Sequence, residues 1–251
     1  MRFMRHEGWS DALFASWPVD ASLLEARLPE GLVPDLHEGC AYLSIVALTE
    51  SGICPWPPGV PIWLAQLLRL SHHAVNVRTY VRPRDGGPPG IFFFSLDCSA
   101  LLPTLGAKLL FNLPYRYARM RRGSGGQSLV SERRAIERSA ASFRSSWHAA
   151  ELQSADRGLS TFLVERYRLY NTPSLIMRVL MRGIGFESKP SRYWHGSITH
   201  APWPLYRAEL ENWHSTMLEA LGFEAMVIGP SVTHCSRQGV GPINFYWEGL
   251  S

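Results

Sequence analysis

The sequence predicts a mainly β, α+β protein, an antiparallel sheet or barrel with a few flanking helices packed outside. Three observations carry that prediction. Short apolar runs recur along the chain, separated by Gly, Pro, Asn and Asp turn signals. Nine Trp, nine Tyr and eleven Phe are plentiful, and large aromatics suit sheets and cavity walls. The stretch Val75–Met120 places two strands, a helix and a third strand in succession with little slack.

Ala12–Trp17 reads as the first strand. Asp20 is placed to cap a short helix over Leu23–Leu28, which Pro29 and Gly31 end. Ala41–Leu48 is a second apolar strand, and the proline-rich Cys54–Pro61 predicts a loop. Ile62–Leu70 suits a helical turn or two. Strands over Val75–Val81 and Gly90–Asp97 flank an Asp-Gly-Gly-Pro-Pro turn, and a helix over Leu102–Leu113 leads to Tyr115. Gly123-Ser-Gly-Gly126 turns the chain between Tyr115–Arg122 and Gln127–Arg134. Ala140–Trp147, Leu175–Met181 and Arg192–His200 read as strands, and Thr161–Tyr170 fits strand or helix equally. Leu205–Leu221 predicts the clearest helix: Tyr206, Leu210, Trp213, Met217 and Leu221 recur at spacings of four, three, four and four. Arg207 and Glu211 would then form an exposed i,i+4 pair. Met226–Cys235 and Ile243–Trp247 supply the last strands.

At 251 residues, 46% apolar and 18% charged, the chain has ample material for one domain, 1–251. The net charge is +4, and of 25 basic residues only Lys108 and Lys189 are lysines. Arginine suits bidentate carboxylate or phosphate contacts and cannot replace lysine in Schiff-base chemistry. The charge suits an anionic small-molecule ligand and equally serves solubility. Cys40, Cys54, Cys98 and Cys235 are widely spaced, which gives neither a zinc pattern nor a disulfide framework. The N-terminus carries no apolar signal segment, and Asp97 and Lys108 interrupt the best apolar run. A soluble cytoplasmic protein with no membrane partner is expected; the oligomeric state is open, a homo-oligomer included.

In Asn76-Val-Arg-Thr-Tyr-Val81 the side chains alternate, so Asn76, Arg78 and Tyr80 share one face and Val77, Thr79 and Val81 the other. The polar face either meets solvent or lines a wet cavity inside a barrel; period alone does not choose. This strand, Gly90-Ile-Phe-Phe-Phe-Ser-Leu-Asp97, Leu113-Pro-Tyr115 and His200-Ala-Pro-Trp-Pro-Leu205 together resemble the YqjF-like family, relatives of acetoacetate decarboxylase, from Trp17 to Trp247. The resemblance implies an antiparallel β-cone or barrel of acetoacetate decarboxylase-like type, with an internal pocket and flanking helices.

The resemblance also implies that the parental reaction is lost. Acetoacetate decarboxylase attacks its ketone with a lysine amine of depressed pKa. The Pro-Lys-Lys motif that carries it falls on Pro114-Tyr115-Arg116, and a tyrosine hydroxyl forms no imine. The family's pocket glutamate falls on Ala74 and its substrate-gripping arginine on or near Trp17. Lys108 lies beside the apolar stripe Leu102, Leu105, Leu109 and Leu113, where a snorkelling residue is the plainer reading than a relocated nucleophile.

A surviving pocket would be lined by Asn76, Arg78, Tyr80, Tyr115 and Arg116, with His73 at the strand entrance and Trp17 near the anion position. Tyr115, Tyr80 and Arg116 are then the catalytic candidates, and Arg78, Asn76, His73 and Trp17 the substrate-binding ones. Such groups suit a lyase, isomerase or cyclase acting by acid–base chemistry on a keto-, enol- or carboxylate-bearing metabolite. The same residues would equally hydrogen-bond one another in a non-catalytic binding barrel. No cofactor is implied. His72-His73, even with His195, His200 or His234, matches no metal-ligand spacing, so no metal is expected. Arg116 to Arg138 form an arginine-rich hairpin, but Glu132 and Glu137 break its charge and no nucleic-acid signature accompanies it.

Overall fold

Alternating short apolar runs can bury two faces only as sheet, and fifteen strands are present among the described residues of the computed structural model. Those residues are 2–55, 61, 63, 66, 69–101, 112–134, 139–152, 157–174, 179, 193–223, 229–236 and 238–250. The chain runs β1 (Arg2–His6), β2 (Gly8–Val19), helix α1 (Ala21–Glu25), β3 (Leu32–Pro34) and β4 (Ala41–Pro55). Then come β5 (Leu70–Pro83), β6 (Gly90–Cys98), β7 (Tyr115–Tyr117), β8 (Arg119–Arg122), β9 (Ser128–Arg133) and β10 (Ala141–Leu152). Helix α2 (Arg157–Val164), β11 (Arg168–Asn171), β12 (Trp194–Thr199), β13 (Leu205–Ser215), β14 (Val232–Ser236) and β15 (Ile243–Leu250) complete it.

All the strands belong to one sheet that returns on itself. β4 pairs antiparallel with β5 on one side and with β1 and β2 on the other. The circuit β5–β6–β11–β12–β15–β1–β4 is therefore closed; its β6–β11 seam is parallel. From β2 the sheet continues through β14, β13, β10, β9 and β8. Only Ala118 separates β7 from β8, and its N–H donates to Cys98 O at 3.0 Å. The strand leaving β6 thus reaches β9 and brings the second curve round.

Two main cores result among the described residues, with β4 and β5 as the wall between them; a smaller cluster gathers Leu32, Val81, Phe92, Tyr170 and Tyr193. Leu43, Ile45, Ala47, Val75 and Val77 pack with Leu129, Phe143 and Trp147 on one side. Tyr42, Val46, Leu48, Ala74 and Tyr80 pack with Leu163, Trp194 and Ile243 on the other, inside the closed circuit. Strand period two sends successive residues to opposite cores.

Leu205–Leu221 is the main correction. Its first eleven residues are strand β13, paired with β10 and β14, and not a helix. Tyr206, Ala208 and Leu210 turn inward with period two. A bulge at Asn212, whose φ is 53°, then leaves Glu211 and Asn212 both exposed and re-phases Trp213 inward. Period two plus one bulge mimics the four–three spacing of a helix face. Arg207 and Glu211 are consequently roughly 13 Å apart along an extended chain, too far to pair.

Other boundaries shift less. Cys54 and Pro55 end β4 instead of opening a loop, Ala118 interrupts the expected strand Tyr115–Arg122, and Thr161–Tyr170 is divided between α2 and β11. β1 and β3 carry no strong signal of their own. Asp20 caps α1 as expected, accepting the Ser22 N–H at 2.8 Å. Residues 102–111 of the helix expected over Leu102–Leu113, most of Ile62–Leu70 and Leu175–Met181, and both lysines fall outside the described residues, while Asn112 and Leu113 are not helical. Among the described residues, no helix is long and apolar enough to cross a membrane.

Candidate functional site

Every residue of β5 from Ala74 to Val81 is buried, so neither face of the strand meets solvent. Asn76, Arg78 and Tyr80 line the core of the closed circuit, on the face of Ala74. The residue types left their direction open because both faces are interior.

At one end of this core the polar groups hold α2. Arg78 Nη2 and Tyr80 Oη each donate to Leu163 O at 2.8 Å, satisfying a carbonyl that the end of a helix leaves without an intrahelical partner. Since Tyr80 gives its proton to that carbonyl, Ser44 Oγ donates to Tyr80 Oη, and Ser16 Oγ donates to Ser44 Oγ, both at 2.7 Å. Arg166 closes the same end. It reaches Asp35 at 2.9 Å, and its guanidinium lies 4.1 Å from the Phe162 ring centroid. Arg78 and Tyr80 are therefore engaged with the helix rather than turned toward Tyr115.

The other end holds a group that residue types alone did not single out. Glu50, 8% exposed, lies opposite His72 on β5 and pairs with His6 Nδ1 at 3.1 Å. Trp9 Nε1 approaches both Glu50 Oε2 (3.2 Å) and His6 Nδ1 (3.0 Å). Burial alone would raise the Glu50 carboxyl. The His6 hydrogen bond, the neighbouring His72 and His6 and the Trp9 N–H outweigh it and hold the carboxyl at about 2. Of the two ring nitrogens of His6, Nδ1 faces Glu50 and Trp9, while Nε2 is buried in the core without a hydrogen-bond partner.

Tyr115 faces this end. It lies beside Leu96, which in turn lies beside Asn76, so the three side chains share one face across β5, β6 and β7. Burial pushes its phenol well above the ordinary value, and the charges of Glu50 and Cys98 add to the effect. Ala74, between Leu48 and Cys98 in the pairing, sets only a methyl on that floor. Asn76 contributes a buried Oδ1 without a partner. The closed circuit thus brings together a carboxylate, two histidines, a protonated phenol and an unpartnered amide oxygen.

The remaining candidates lie elsewhere. Arg116, adjacent to Tyr115 on β7, points to the opposite face, where it donates to Ser139 Oγ at 3.3 Å and stands near the buried Asp97–Arg133 pair. Alternation forbids Tyr115 and Arg116 from lining one pocket. Trp17 packs in the second core, 5.9 Å from Trp213 between ring centroids. His73 also turns that way, with Nδ1 3.1 Å from Thr49 Oγ1. His195 meets Glu248 and His200 meets Ala201 O; among the described residues no group of three or more His, Cys, Asp or Glu is placed to hold a metal. The arginine-rich hairpin divides: Arg119, Arg121 and Arg134 are exposed, whereas Arg133 is buried and Arg122 partly so.

With the geometry in place, comparisons with known proteins give it a context. A family model described as DUF2071, Uncharacterized conserved protein, matches residues 6–239. Over 246 residues the chain is 31% identical to the uncharacterized protein YqjF of Bacillus subtilis (strain 168), covering 95% of this chain and 90% of that one. Acetoacetate decarboxylase from Legionella pneumophila subsp. pneumophila str. Philadelphia 1 matches in structure with a TM-score of 0.58 at 14% identity, over 99% of this chain and 86% of that one. The enduracididine biosynthesis enzyme MppR complexed with pyruvate matches with a TM-score of 0.52 at 12% identity, over 99% and 89%. At such identities the structural matches establish the fold, which is acetoacetate decarboxylase-like.

Proposed function

The chain belongs to the DUF2071 family of uncharacterized conserved proteins, and on its acetoacetate decarboxylase-like scaffold we propose a small-molecule enzyme that works by acid–base rather than Schiff-base chemistry. One observation carries the reading: the His6–Glu50 pair and Tyr115 face the same buried core, and His6 Nε2 is left without a partner.

The roles follow from proton affinity. A carboxyl held at about 2 is too weak a base to take a proton from carbon, so Glu50 is a positioning residue that fixes the His6 tautomer. His6 Nε2 is the general base. Tyr115, kept protonated, supplies a hydrogen bond to the oxygen on which charge develops. These parts suit enolisation of a keto- or enol-bearing carboxylate, the step common to lyase, isomerase and cyclase reactions of that class. The MppR complex with pyruvate supports a keto acid as substrate on this scaffold. The position at which the resemblance places the decarboxylase lysine is Tyr115, which supports loss of the parental reaction.

The test is exchange of the C3 protons of pyruvate and of longer 2-keto acids with solvent deuterium, followed by proton NMR. The wild-type protein accelerates exchange on at least one of them, and His6→Gln and Tyr115→Phe each lower it by roughly a hundredfold. Exchange untouched by both variants sinks the assignment, and a borohydride-trapped adduct on Lys108 sinks the non-covalent mechanism. Arg78 and Tyr80, both committed to Leu163 O, favour a second reading: a binding protein that takes up the keto acid without exchanging its protons.

A further inference from the structure

The second core contains an arginine, Arg122, that makes no direct ion pair with a carboxylate among the described residues; the Asp11 charge acts on it only through space, against the cost of burial. Arg122 on β8 turns inward, and only its Nη1 is engaged: it donates to Asp11 O at 3.2 Å and to Gly126 O at 2.5 Å. Its Nε and Nη2 are buried without partners, and they form one edge of the guanidinium. Trp147 on β10, 3% exposed, lies against it, with Arg122 Cζ 5.7 Å from the ring centroid. Its Nε1–H is likewise buried without a partner.

These three unsatisfied groups are all donors. A buried donor left unpaired costs about 1–3 kcal/mol, and more when it is charged. A buried water, which must itself donate, satisfies such a set less completely than an anion does. Asp11 does not fill the role. Its side chain accepts from Ser10 Oγ at 3.0 Å, and its contact with Arg122 runs through the backbone carbonyl. A methyl at Gly126 would stand 2.4 Å from Asp11 Oδ1, so the glycine lets the turn close against β2 and fixes Arg122 Nη1. His73 and Thr49 lie on the same side; burial and the Arg122 charge lower the His73 pKa, while Asp11 opposes them. Arg122, Asp11, Gly126 and His73 are each partly exposed, which gives a small solute a way in from the rim.

We propose that this end of the second core is an oxyanion site for a small carboxylate, gripped by the Nε–Nη2 edge of Arg122 and by Trp147 Nε1–H. A guanidinium edge and a carboxylate match in two parallel hydrogen bonds, and an indole N–H supplies a third donor. The site faces away from His6, Glu50 and Tyr115 across the β4–β5 wall, so it stands or falls independently of the keto-acid chemistry.

Acetate is the probe, titrated into the full-length protein against sodium chloride at equal ionic strength. The melting temperature rises with acetate over chloride, and among the indole N–H resonances in a 15N-correlated spectrum the one missing from Trp147→Phe moves downfield. Trp147→Phe, which keeps the ring and removes the donor, weakens acetate about tenfold, and Arg122→Met abolishes the response. Should Arg122→Met not fold, the Trp147→Phe titration and the indole shift decide alone. An acetate response no larger than that of chloride, or one unchanged in Trp147→Phe, overturns the site.

Discussion

Glu50 shows how much one residue depends on its surroundings. In sequence it follows an apolar strand at a point where a solvated glutamate is the plain expectation. In the fold it is enclosed by His6, Trp9 and His72, and its carboxyl drops from the ordinary 4.5 to about 2. A depressed carboxyl contributes stability that is fully present above the unfolded value and is lost as pH falls through the folded one. Between about 4.5 and 2 the protein therefore loses on the order of 3 kcal/mol through this group. Glu50→Gln lowers stability at neutral pH and flattens that limb in urea denaturation; an unchanged acid limb would show that another carboxylate carries it. The buried Asp97–Arg133 pair in the second core behaves oppositely. Burial raises Asp97 despite Arg133, Ser95 and Arg116 around it, so its ion pair is held at a desolvation cost.

At the scale of the element, β13 shows that a spacing is not a structure. Tyr206, Leu210 and Trp213 suit a helix face, and they also suit a strand with one extra residue. Hydrogen bonding to β10 on one edge and β14 on the other decided between them, because a sheet edge offers partners that an isolated helix does not. The bulge rests on Asn212 in the left-handed region, which Asn and Gly tolerate and β-branched residues do not. Asn212→Val is expected to cost about 1–3 kcal/mol while Asn212→Gly stays within about 0.5 kcal/mol, read from urea midpoints. Equal midpoints would mean the chain takes another path there. β5 illustrates the converse: its extended state was legible from alternation, yet the destination of its polar face was not, since both faces are covered.

For the whole molecule the consequential join is the parallel seam between β6 and β11, which among the described residues closes the circuit around the candidate site through Ile91–Leu169 and Phe92–Tyr170. Gly90 makes that approach feasible. A methyl there would stand 2.7 Å from Tyr170 Cε2 and 2.8 Å from Arg168 O. Gly90→Ala is expected to destabilise by about 1–3 kcal/mol and to speed amide exchange at Leu169 and Tyr170. Unchanged exchange at those two amides would place the closure elsewhere.

The residues by themselves determined that this chain is sheet, that the strands fall near Ala12, Ala41, Val75, Gly90 and Ile243, and that no amine stands at Tyr115. Each of these rests on period two, turn chemistry or side-chain identity, all of which are local. Tertiary structure alone decided that β4 and β5 divide the two main cores, that Arg116, His73 and Trp17 lie across that wall from Tyr115, and that Glu50, paired with His6, comes near enough to Tyr115 for its charge to act on the phenol. The reason is distance along the chain. His6, Glu50 and Tyr115 come from β1, β4 and β7, and only the closing of the sheet through β4 and β5 sets them on one interior face.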